Sequence, residues 1–347
     1  MQPLSGQLAV PKASLARGGS GVALFLAEAA RHFQEPLYVE AAERWLASAR
    51  VLARSKEVGF GPAALDAACG LHDGVYSGRA GLAWAQLFVA EAGGNARSRR
   101  QAVASFARDW KAAEVRKWPW MMSGAAGFAE AAYDALALVS GLTDEEQASL
   151  RGVGRQAADI VLEALEAEPR KGALGIAFGD AGLLLAALRW DPHSSRVTKR
   201  LDHIATLLTP NDSVELWPRI YGSPLDVAGL TWCNGSTGVM RLFVRAHEVL
   251  GERRWLAIAR RAVITLASMR AENPTLCCGI AGEALAMHDF ARQAGTKTLA
   301  KFVRSYMRAA MSRAPELPMN LLTGRIGIAW AGLAVAAPSA RRPLAMR

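Results

Sequence analysis

Seven copies of one four-residue element, Gly-x-x-Gly, punctuate the chain. They are Gly18-Gly19-Ser20-Gly21, Gly78-Arg79-Ala80-Gly81, Gly124-Ala125-Ala126-Gly127, Gly179-Asp180-Ala181-Gly182, Gly235-Ser236-Thr237-Gly238, Gly279-Ile280-Ala281-Gly282 and Gly324-Arg325-Ile326-Gly327. Their first glycines fall 60, 46, 55, 56, 44 and 45 residues apart. One such element would mean nothing. Seven at comparable spacing define a repeat architecture, in which each unit buries its apolar face against its neighbours.

Each element leads into an alanine- and leucine-rich segment, at 22–31, 82–91, 128–139, 183–189, 239–249, 283–290 and 328–337. Helices this apolar bury most of their circumference. Between them, at 39–53, 97–111, 144–166, 197–208, 252–270 and 296–314, charged residues recur at helical spacing. The pattern predicts an all-α chain that alternates inner and outer helices. Closed on itself, it is an α/α toroid, a double-layer barrel with seven inner helices, each preceded by a Gly-x-x-Gly turn. The glycines permit tight turns and close helix approach, and all seven turns are expected at one end. No segment alternates with the period of a strand, and 209–229 and 272–275 read as rim loops. No linker divides the chain, so residues 1–347 are expected to form one domain. No outer helix precedes the first inner one, which leaves the amino-terminal edge open or covered by a partner.

Composition narrows the function classes. Hydrophobic residues are 51% and charged residues 21%, a globular balance that excludes a disordered chain. No apolar run approaches the roughly 20 residues of a membrane span, and the first residues do not resemble a secretory signal. Four cysteines, two of them adjacent, do not make an extracellular disulfide framework, so a cytoplasmic location is expected. The net charge of +10 is spread over polar segments such as Arg97-Ser98-Arg99-Arg100. Bases do not interleave with aromatic residues there, and no specific nucleic-acid binding is expected.

Three of the cysteines occupy matched places in the repeat. Cys233 and Cys277 each stand two residues before the first glycine of their elements, and Cys278 stands one before. If the fifth and sixth repeats are neighbours, the three thiolates converge at the mouth of the barrel. Thiolates in a tetrahedral arrangement suit Zn2+, and three protein ligands leave a fourth position open. The plainer reading is three small buried hydrophobes, against which the matched positions weigh. Cys69 lies outside the pattern and reads as structural.

The glycine turns, with Trp232-Cys233-Asn234-Gly235-Ser236-Thr237-Gly238 and Cys277-Cys278-Gly279-Ile280-Ala281-Gly282, resemble the lanthionine synthetase C-like family over nearly the whole chain. The resemblance implies an α/α toroid with a catalytic Zn2+ held by Cys233, Cys277 and Cys278. The implied activity is addition of a peptide cysteine thiol to dehydroalanine or dehydrobutyrine, forming lanthionine or methyllanthionine. The implied partners are a dehydrated precursor peptide and a kinase, lyase or dehydratase of the same pathway. Many members have histidine where Cys278 stands, and a third thiolate makes a bound substrate thiolate more electron-rich.

The same resemblance exposes departures. The histidine that the family usually places before the fourth turn is Phe178, which cannot move a proton. The aspartate usually found about four residues before the third turn is Trp120, and a frequent tyrosine is Asn234. His72, six residues before Gly78 and next to Asp73, is the foremost substitute, set against its plainer reading as an exposed loop histidine. Asp226 and Asn234 are further candidates near the same rim, while Asp180 reads as a helix cap. Phe178, Trp118, Trp120, Trp217 and Trp232 would supply an apolar cleft for a peptide. Two functions follow: a zinc-dependent cyclase, or a catalytically impaired peptide-binding accessory of a lanthipeptide-type modification complex.

Overall fold

The computed structural model describes residues 8, 12–55, 59–60, 74–112, 118–167, 172–211, 214–225, 230–269, 271–337 and 339–342. Among these the chain is almost entirely α-helical. Seven helices each take the first glycine of a Gly-x-x-Gly element as N-cap: α1 (Gly19–Phe33), α3 (Arg79–Ala92), α5 (Ala125–Leu138), α7 (Asp180–Trp190), α9 (Ser236–Leu250), α11 (Ile280–Gln293) and α13 (Arg325–Ala336). Between them come α2 (Pro36–Leu52), α4 (Ala96–Ala112), α6 (Asp144–Glu166), α8 (Ser195–Thr206), α10 (Arg253–Ser268) and α12 (Ala300–Arg313). Each odd-numbered helix packs against the next odd-numbered one, and α13 packs against α1, so they form a closed ring. The even-numbered helices lie against that ring, which leaves one side of each to solvent. No described helix is long and apolar enough to cross a membrane.

The strand-free expectation needs one correction. Residues Thr209–Asn211 (β1) and Val214–Leu216 (β2) pair as a short antiparallel hairpin within the segment read as a loop, and β2 packs against α10. Three-residue strands are too short for a period of two to register in sequence.

The two helix classes start differently. Helix α6 has a capping box in which Thr143 accepts from the Glu146 amide and Glu146 accepts from the Thr143 amide. None of the seven ring helices has a side-chain cap. Their free amides are met by the preceding loop instead. Gly19, Ala125, Asp180, Ile280 and Arg325 each donate to a carbonyl seven residues back, at 2.8–3.3 Å.

This wrapping explains the glycines. Their φ values are ordinary, for no motif glycine is among the positive-φ residues. What they supply is space. A Cβ on the second glycine of any motif would stand 1.9–2.3 Å from a carbonyl oxygen of its own loop. In most motifs it would also crowd the side chain of the equivalent residue in the preceding turn. That residue is Leu321 for Gly21, Leu15 for Gly81, Met121 for Gly182, Ile176 for Gly238, Trp232 for Gly282 and Leu276 for Gly327.

A belt of backbone bonds joins the turns above this packed ring. Ala16 donates to Tyr76, Met122 to Ala177, Ala177 to Cys233, Cys233 to Cys277, Cys277 to Leu322 and Leu322 back to Ala16, at 2.7–3.2 Å. Every donor and acceptor stands two residues before the first glycine of its motif.

Gly182→Ala is therefore expected to destabilise the chain by about 2–4 kcal/mol, because the new Cβ meets the Ile176 carbonyl. Gly152→Ala, inside α6 with open space around it, is expected to stabilise by about 0.5–1 kcal/mol. Denaturant melts of the two variants, read side by side, check the steric account of the motif.

Candidate metal centre

The backbone belt fixes where the cysteines meet. Cys233 and Cys277 occupy consecutive links, and the Cys233 amide donates to the Cys277 carbonyl at 3.2 Å. Cys278 follows in the same turn. The Sγ atoms of Cys233 and Cys278 are 3.4 Å apart, and all three sulfurs lie within 4.8 Å of one another. Cys233 is buried, while Cys277 and Cys278 are half-buried, so the cluster faces partly outward.

The three thiols share protons rather than acting alone. Hydrogen bonds from Cys277 and Cys278 pull the Cys233 thiol down to about 3, against the opposing effect of burial. Cys277 is shifted up, first because it is held by Cys233. Cys278 is pushed up to about 11, again chiefly by Cys233. Without a cation the cluster thus holds one negative charge near neutral pH and resists a second. A tetrahedral metal with sulfur ligands at about 2.3 Å sets them about 3.8 Å apart. The observed cluster fits that size and the donor set suits a soft divalent ion.

Two neighbours went unnoticed in the sequence. The Thr231 hydroxyl lies 3.7 Å from Cys233 Sγ and accepts the Asn234 amide. Arg17, one residue before the first motif glycine as Cys278 is before the sixth, eases ionisation of Cys278 electrostatically. The matched repeat position was the available signal for Arg17.

The other expected site residues scatter. Phe178 and Asn234 stand one residue before their motif glycines and are half-buried, as is Trp120. Trp217 and Trp232 do not line a cleft, since each is only 1% exposed. The Trp217 indole donates to the Ile204 carbonyl and stacks on Phe243, while Trp232 packs beneath Gly282. Their flat apolar bodies fill the ring wall, where burial is worth more than exposure at a rim. Trp118 is exposed. Asp180 makes no side-chain cap. It pairs with Arg200 of α8 and accepts from the Tyr221 hydroxyl, so its carboxylate braces two helix layers. His72, Asp226 and Cys69 lie outside the described residues.

Residues 10–345 match the family model described as lanthionine synthetase C-like protein. The chain belongs to the lanthionine synthetase C-like family. Among solved structures, one described as nisin cyclase aligns over 94% of this chain and 90% of its own, with a TM-score of 0.69 and 15% sequence identity. That likeness is one of fold. No curated protein matches the chain in sequence.

Because two of the thiols start protonated, zinc binding near neutral pH is expected to release about two protons per ion. Affinity measured by chelator competition should then rise by up to about 100-fold per pH unit between pH 6 and 8. An affinity flat over that range would contradict a thiolate site. Cys277→Ala is expected to abolish stoichiometric loading in a metal assay.

Proposed function

We propose that this chain is a zinc-dependent lanthipeptide cyclase, joining a peptide cysteine thiol to dehydroalanine or dehydrobutyrine as a thioether. The observation that supports this reading best is the convergence of Cys233, Cys277 and Cys278 on adjacent turns in a chain of this family. We read the architecture as the α/α toroid of that family, one domain over residues 1–347, with the odd-numbered helices as its seven-membered inner layer. A Zn2+ held by the three cysteines would favour the thiolate over the thiol of a peptide cysteine and leave it a place to bind.

The reaction is an isomerisation. The peptide sulfur bonds to the β-carbon, the carbon–carbon double bond becomes single, and the α-carbon takes up the proton the thiol gave away. The chain's own part is to hold the peptide and manage the enolate. Half-buried Phe178 and Trp120 offer apolar contact beside the cysteines' rim. Arg17, on the same level of the belt, supplies a positive charge suited to an enolate oxygen. Proton delivery falls to water or to His72. The substrate is a dehydrated precursor peptide, made by a kinase, lyase or dehydratase of the same cytoplasmic pathway.

One observation favours the accessory reading. The residues immediately before the seven motifs are Arg17, Ser77, Ser123, Phe178, Asn234, Cys278 and Thr323, with neither a carboxylate nor an imidazole among them. A chain so equipped would bind a thiol peptide without turning it over.

Incubation with a dehydrated precursor peptide, followed by thiol alkylation and mass spectrometry, separates the two. Cyclisation is expected to remove one alkylatable thiol per ring at unchanged peptide mass, and Cys277→Ala to abolish it. Arg17→Gln is expected to slow ring closure roughly tenfold to a hundredfold, and His72→Ala to slow it if that residue delivers the proton. Tight peptide binding with every thiol still alkylatable would leave the accessory function in place of the enzyme.

A further inference from the structure

The end of the ring opposite the cysteines holds a cavity of about 270 Å3. It is formed by the later turns of the odd-numbered helices and the segment 339–342. Helix α9 contributes Arg241, Arg245 and Glu248, and α11 contributes Asp289 and Arg292. The final described residues, Arg341 and Arg342, close it.

The lining carries five arginines against two carboxylates, an excess of three positive charges. Arg341 is held from outside the cavity by Glu28 at 2.8 Å and Glu91 at 2.9 Å. Counting both still leaves an excess of one. Asp289 is shared between Arg241, at 3.1 Å, and Arg342. Glu248 is shared between Arg245, at 2.7 Å, and Arg292, at 3.8 Å. Each acid thus serves two guanidinium groups, and neither can satisfy both forks.

Arg245 shows the shortfall directly. Although Glu248 pairs with one end of its guanidinium, its Nε is buried and has no hydrogen-bond partner, and a buried donor left unsatisfied is costly. Leaving it so makes sense if an anion completes the set. Leu138, Leu185 and Val244 add an apolar part to the lining. A bare phosphate would fill only part of such a space, whereas an organic group would cover that apolar part.

We infer that this cavity binds a small organic phosphate, with its phosphoryl oxygens on Arg245 and Arg292 and its organic part against Leu138, Leu185 and Val244. The site is separate from the metal centre and does not rest on the cyclase reading.

Titration calorimetry of the full chain tests it, using phenyl phosphate, inorganic phosphate, and sodium chloride at matched ionic strength. Phenyl phosphate is expected to bind saturably, roughly tenfold tighter than inorganic phosphate, and to raise the melting temperature. Arg245→Gln is expected to weaken it about tenfold, the loss of one charged hydrogen bond. Arg292→Gln, at a half-exposed position safe for folding, should weaken it in the same direction. Inorganic phosphate binding as tightly as the ester would remove the organic part of the assignment. No binding beyond the chloride control, or affinity unchanged in both variants, would overturn the site.

Discussion

The Cys233 amide donates to the Cys277 carbonyl, and the same bond recurs from turn to turn until Leu322 returns to Ala16. Each link is worth only about 1 kcal/mol net, yet breaking one strands a buried polar pair at about 1–3 kcal/mol. The belt also dictates the rest of the turn. To reach its neighbour, each loop must fold back over the start of its own helix, where its carbonyls satisfy the helix amides. That brings backbone against the helix N-terminus so closely that no side chain fits, hence glycine at both ends. Below the belt, Leu15, Val75, Met121, Ile176, Trp232, Leu276 and Leu321 seal the ring and are almost wholly buried.

Much of this was legible beforehand because the repeat leaves a strong trace. Alternation of apolar and amphipathic helices follows from burial on all sides or on one. The even-numbered helices begin and end within a few residues of the expected bounds. The cysteine cluster was legible for the same reason: equal offsets from equal turns become neighbouring places in space. The tryptophans were misread as a cleft because sequence shows that Trp217 and Trp232 are large and apolar but not which way they face. Asp180 sits where a cap would sit, yet Arg200, twenty residues on, takes its carboxylate, and nothing local announces that partner.

Charge is distributed as unevenly as polarity. The interior between α5 and α7 holds Arg189 against Glu130 at 3.3 Å and Asp134 at 3.7 Å, all nearly inaccessible. Buried ion pairs of this kind add little net stability, but losing one partner is severe. They tie one helix of the ring to the next by charge, complementing the backbone bonds at the other end.

The belt separates what holds the turns together from what varies between them. Its bonds use only main-chain atoms, so the side chain two residues before each motif is free to vary, and it does: alanine, tyrosine, methionine, alanine, cysteine, cysteine and leucine in order. The ring is thus a dial with seven numbered seats, one per turn. Two adjacent seats, both cysteine, bring their thiols together with that of Cys278, and the bonds beneath them are of the same kind as at the other seats. A chain built on such a frame can exchange the side chains on its seats and keep every bond that closes the turns together.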